Sequence, residues 1–205
     1  EPLRPLLQSG ALRSTSSPQL LPALCATESL ELLVLYVRHM ADLSEEQLLL
    51  LLRLALRARK REAADSRGAP ASWDELLEQL LCAPRNDVFL LQALGSLSLS
   101  DGVLLLERLI ELLVLAAQRW HAPVGSPSLQ QVVGWMNVLL DAHAAQLLLH
   151  PPAHKQLDRL GSIARRHVQL CSAIKSLKGY LGQATMRGSQ PVRHLPDYSI
   201  ELLEL

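Results

Sequence analysis

Residues 102–120 read GVLLLERLIELLVLAAQRW. Val103, Leu106, Ile110, Leu113, Ala117 and Trp120 recur at alternating spacings of three and four. Such spacing draws one continuous apolar seam along a helix; a strand repeats every two residues and cannot gather these side chains on one face. Glu107, Arg108 and Glu111 break the apolar run from Val103 to Ala117. The stretch is therefore a core helix rather than a membrane span, which needs about 18 or more nearly uncharged apolar residues.

The same period extends outward from this helix. Upstream, Leu30, Leu33, Val34, Val37 and Ala41 share a face and predict a helix over about 28–41. Ser44-Glu45-Glu46-Gln47 has the form of a capping box and predicts a second helix to about Ala64. Ser72-Trp73-Asp74-Glu75 predicts another from 72 to 82, and residues 87–94 a further short one before a break over Gly95–Asp101. Downstream, Ser126-Pro127 or Ser128 opens a helix to Leu149, since proline suits a helix's first turn. Its polar stripe, Gln130, Asn137 and Asp141, is narrow, so the remainder should be buried. Pro151-Pro152 ends it, and a long helix follows from about 153 to 181 with a seam of Leu157, Leu160, Ala164, His167, Cys171 and Ile174. The fold class is all-α: an irregular bundle of about six to seven helices over residues 21–181. Residues 1–20, with Pro2, Pro5, Gly10 and a Ser/Thr run, read as a linker or frayed lead-in. Residues 182–205 read as a flexible segment followed by an apolar tail.

Composition agrees. Leucine supplies 50 of the 205 residues, whereas aromatic residues make up 3%. Strands want the aromatic and β-branched residues that are scarce here, so a sandwich or barrel is not expected. Charge balances at 20 basic against 20 acidic residues, and no global field draws nucleic acid or membrane. Its distribution is uneven. Arg57-Ala58-Arg59-Lys60-Arg61 reads as a nuclear-import or phosphate-contact patch, or as the solvated end of a helix where cations complement the carbonyl terminus. Lys155, Arg159 and Arg166 fall on one stripe that suits an RNA backbone. The odd, widely separated Cys25, Cys82 and Cys171 fit a reducing compartment.

Catalytic chemistry finds little footing. His150 and His154 are separated by two prolines and cannot share a regular helix face as metal ligands do. His143 and His167 sit on apolar seams and read as hydrogen-bonded core residues. No Gly-x-Ser-x-Gly elbow and no glycine-rich phosphate loop occurs. The expectation is a protein that is not an enzyme and takes no cofactor or metal. Several leucine-rich helices are apolar almost all round, more than a domain of this size hides, so some faces should meet partner chains.

The last third resembles a known family. Val132-Val133-Gly134-Trp135-Met136-Asn137-Val138-Leu139-Leu140-Asp141-Ala142-His143 is similar to a helix in the C-terminal helical domain of the nucleolar protein 11 family, and Tyr198-Ser199-Ile200-Glu201-Leu202-Leu203-Glu204-Leu205 looks like that family's terminal tail. The resemblance implies a non-catalytic scaffold of the nucleus and nucleolus. It implies a place in the early, transcription-associated part of the small-subunit processome, supporting pre-rRNA transcription and early processing. Its partners would be helical domains of sister subunits, and pre-rRNA indirectly or by backbone contacts. Ile200, Leu202, Leu203 and Leu205, too apolar for a free tail, together with Trp135, are the candidate partner contacts. Lys155, Arg159 and Arg166 are the candidate RNA contacts, and no membrane is involved. A generic α-helical adaptor unrelated to ribosomes is the alternative.

Overall fold

A computed structural model describes residues 3–9, 12–14, 16–27, 29–40, 42–65, 72–118 and 125–188. They form nine helices, with no strand among the described residues: α1 (Leu3–Gln8), α2 (Leu20–Thr27), α3 (Leu30–His39), α4 (Glu45–Asp65), α5 (Ser72–Cys82), α6 (Asp87–Gly95), α7 (Leu99–Gln118), α8 (Leu129–Leu149) and α9 (Pro151–Gly188). The chain divides into a first unit, residues 1–160, and a second, 161–205.

Local chemistry explains the helix starts. Ser44 and Gln47 form the expected reciprocal box: the Ser44 hydroxyl accepts the Gln47 amide at 3.3 Å, and the Gln47 side chain accepts the Ser44 amide at 3.2 Å. Ser128 and Gln131 build the same box before α8. Asn86 caps α6 by accepting the Val88 amide. The Ser98 hydroxyl accepts the Asp101 amide at 3.2 Å, so α7 begins at Leu99, inside the stretch read as a break. Pro151 and Pro152 do end α8, but they also lie in the first turn of α9, where a missing N–H costs nothing. His150 alone joins the two helices.

The core of the first unit is built from pairs of helices near in sequence: α7 on α8, α6 on α8, α3 on α5, and α4 against α5, α6 and α7. Within α7 the seam residues Leu106, Ile110 and Leu113 are buried, and so are Leu105, Leu109 and Leu112. The helix is covered on two sides because α4 and α8 both pack on it. Ala117 is exposed; Trp120 lies outside the described residues. In α8, Gln130, Asn137 and Asp141 face outward as expected. Leu129, Val133, Leu148 and Leu149 are exposed too, contrary to the expectation that all its apolar residues pack inward. By length and composition α8 could cross a membrane. Its central residues instead pack against α6 and α7, with Trp135, Leu139 and His143 buried.

Two further boundaries differ from the sequence reading. Residues 3–8 are not linker: they form α1, which packs on α3, buries Leu7 and ties Arg4 to Glu31. Helix α9 runs on to Gly188, past the expected end at 181. The apolar tail and the side chain of Ser72, the second predicted cap, lie outside the described residues.

Candidate functional site

A groove of about 850 Å³ lies between α4 and α6 in the first unit, with Cys25 of α2 also in its lining. Hydrogen bonds clamp both ends. At one, Glu45 Oε1 at the start of α4 accepts the Asn86 amide at the start of α6, 2.7 Å away. At the other, Arg53 donates to the Ser96 carbonyl and, at 3.0 Å, to its hydroxyl, satisfying the end of α6. Leu49, Leu54 and Ala93 line the walls. Phe89, the chain's single phenylalanine, is 57% exposed on the rim, with Leu50 and Val88 also exposed. Charge is segregated along it: Glu45 and Glu46 at the N-terminal end of α4, Arg53 and Arg57 further on. The groove holds no activated thiol, because burial pushes the Cys25 thiol up from its ordinary value and keeps it protonated.

This rim was missed in the sequence although a signal is there. Val88-Phe89-Leu90-Leu91 places four apolar residues consecutively on a helix, and four successive residues cannot all face one side. Leu90 goes inward completely; Val88, Phe89 and Leu91 stay exposed.

The residues singled out in the sequence divide among the first unit, the second unit and the tail outside the described residues. Trp135 is a correction: it is fully buried and cannot touch a partner surface. Its indole Nε1 donates to the Leu81 carbonyl at 3.1 Å, and the Arg85 guanidinium lies 5.1 Å from the ring centroid. Gly134 makes room for that guanidinium, since a Cβ there would stand 2.5 Å from Arg85 Nη2. Ile200, Leu202, Leu203 and Leu205 lie outside the described residues. Lys155 and Arg159 are exposed on the part of α9 in the first unit, and Arg166 is exposed in the second.

The basic run on α4 divides in function. Arg59 joins an ion-pair cluster, 3.4 Å from both Asp74 and Glu111. Arg108 is its hub, at 3.3 Å from Asp74 and 3.0 Å from Glu78 and Glu111. Burial alone would raise the Glu111 carboxyl. The hydrogen bond from Arg108 and the charges of Arg59 and Arg108 outweigh it and hold Glu111 below its ordinary value. Lys60 pairs with Asp101 at 2.5 Å; there too the burial cost is outweighed, by hydrogen bonds from Lys60 and Ser98, and the carboxyl is lowered. Arg59 and Lys60 therefore tie α4 to α5 and α7, while Arg57 is left exposed beside the groove.

Two histidines make structural contacts. His143 is buried between the Leu94 carbonyl and Gln146, each 2.9 Å away, and His154 donates to the Leu148 carbonyl. Among the described residues, no three His, Cys, Asp or Glu side chains gather as a metal site requires.

Among the described residues the protein is an all-α domain whose polar clusters tie its helices together and whose exposed surface includes apolar side chains. The nucleolar protein 11 C-terminal domain model matches residues 1–205. The chain belongs to that family, which is named for a protein and not for a reaction. Over 133 residues it is 32% identical to nucleolar protein 11 of Gallus gallus, 29% to a nucleolar protein 11-like protein of Danio rerio and 28% to nucleolar protein 11 of Xenopus laevis. In each case the match covers 63% of this chain and 18% of the relative.

Proposed function

We propose that this chain acts as a non-catalytic scaffold of nucleolar ribosome biogenesis, supporting pre-rRNA transcription and early small-subunit rRNA processing through helix-mediated contacts with other processome subunits. Family membership and the relatives' names support the setting. The mode of action is carried by the α4–α6 groove, where exposed Leu50 and Phe89 stand beside Leu49, Leu54 and Ala93 in a lining that also holds Glu45, Glu46, Arg53 and Arg57. An exposed aromatic beside a preformed pocket is the kind of anchor that dominates interface affinity. The apolar tail, Ile200 to Leu205, is a second contact in this reading, on the strength of its composition. Lys155, Arg159 and Arg166 supply any phosphate contacts to pre-rRNA, which would weaken as salt rises.

The test is recovery of partners from cells expressing the full tagged chain. Small-subunit processome proteins should be recovered and the chain should concentrate in nucleoli. A Leu50→Asp/Phe89→Asp double variant and a deletion of residues 196–205 should each lower that recovery about tenfold or more, with an unchanged melting midpoint. Undiminished recovery by both variants would remove these surfaces from the mechanism. Absence from nucleoli together with no processome protein would leave the generic helical adaptor as the better reading.

A further inference from the structure

The helical part of the second unit carries a pattern that differs from the seam expected for α9. Ile163, His167, Leu170, Ile174, Leu177 and Leu181 follow one another at spacings of four, three, four, three and four. At about 100° per residue they lie within a stripe roughly 80° wide. The last four are exposed: Leu170 by 55%, Ile174 by 53%, Leu177 by 59% and Leu181 by 67%. Alternating fours and threes average 3.5 residues, the period of a two-stranded coiled-coil seam and narrower than the face a helix shows to a globular core. The stripe is regular over more than two heptads, which scattered surface leucines are not.

Charge selects the occupant. Residues 161–188 contain Arg165, Arg166, Lys175, Lys178 and Arg187 and no Asp or Glu. Arg166 and Lys178 occupy the positions flanking the seam, where coiled-coil partners are chosen by opposite charge. A second copy of this chain would bring the same cations to those flanks and meet repulsion. Nucleic acid would satisfy the cations but leave the leucine stripe in water. We propose that residues 163–181 of α9 pair as a two-stranded coiled coil with a helix of another chain that has an apolar heptad seam and Asp or Glu along its flanks. His167, half-buried at a seam position, sets the register, as a single polar residue in such a seam does. The proposal deepens the scaffold reading and rests on it for the biological setting.

The experiment titrates the full chain into two labelled synthetic peptides of about three heptads, both with Leu at the seam positions, one with Glu at the flanks and the other with Lys. The Glu peptide should bind at least tenfold tighter. Ile174→Asp and Leu177→Asp should each weaken it tenfold or more at an unchanged melting midpoint. The charge reversal Arg166→Glu/Lys178→Glu should invert the preference toward the Lys peptide. Cys171, exposed and beside the seam, should be alkylated more slowly once the Glu peptide is bound. Equal binding of the two peptides, or binding indifferent to Ile174→Asp and Leu177→Asp, overturns the proposal. So does a dimer in sedimentation that Ile174→Asp dissolves, which assigns the stripe to a second copy. A short RNA bound by the wild type and lost on charge reversal, with no discrimination between peptides, assigns it to nucleic acid. Peptide discrimination is read on the purified chain and nucleolar recovery in cells, so the two readings fail separately.

Discussion

Trp135 shows how a side chain's role depends on where its ring ends up. Sequence similarity marks its helix but carries no information about which way the indole faces. The structure puts it at the middle of the first unit, with its one donor spent on Leu81 and its face under Arg85. Trp135→Ala should therefore cost about 3–5 kcal/mol of stability, and Leu113→Ala, also buried, about 2–5 kcal/mol. Thermal or denaturant unfolding checks both, and an unchanged midpoint for either would mean the side chain is not in the core. Leu113 was legible because its neighbours at three and four residues are apolar. Phe89 was legible only in part: the run 88–91 says that some of its members stay exposed, but which of them do depends on what α4 leaves uncovered, and that is a tertiary fact.

Helices were the most legible level. The 3.6-residue period and the Ser44 and Ser128 caps placed α4, α7 and α8 to within a few residues, because both signals are local. α1 escaped because six residues are too few to show a period, and it is held by Leu7 and by α3 rather than by its own propensity. Ties between elements are long-range and were only partly visible. Arg108 beside Glu111 could be read, but not the reach of Arg59 and Arg108 to Asp74 and Glu78 on α5. These ties have a pH signature. Asp101 and Glu111 have carboxyls lowered in the folded state. Their contribution is fully present above about pH 5 and is lost as the pH falls through the ordinary carboxylate range and below it. The melting midpoint of the wild type should fall between about pH 5 and pH 3. The drop should be shallower in an Asp101→Asn/Glu111→Gln double variant, and identical slopes would show that neither carboxylate is coupled to folding.

At the scale of the whole molecule, the all-helical class was readable from composition alone, since leucine without aromatic or β-branched residues leaves little else. The surplus of apolar surface was readable too; its location was not, because surplus is a property of the sum and location a property of packing. The structure places parts of it at the α4–α6 groove and along α8 in the first unit and on a heptad stripe in the second. Helix pairing has one more consequence. In the first unit α1 meets α3, α3 meets α5, α4 meets α5 and α6, α6 meets α8, and α7 meets α8, so nearly every contact closes a loop of only one or two elements. Short loops are cheap in entropy, and chains rich in near contacts cross their folding barrier fast, in roughly microseconds to milliseconds. The fastest phase of refolding by rapid dilution should fall in that range, and the absence of any phase faster than a second would contradict it. On a ribosome adding roughly 5–20 residues each second, each helix would find its mate almost as soon as both had left the exit tunnel. The leucine-rich faces would then spend little time bare before the whole unit is assembled.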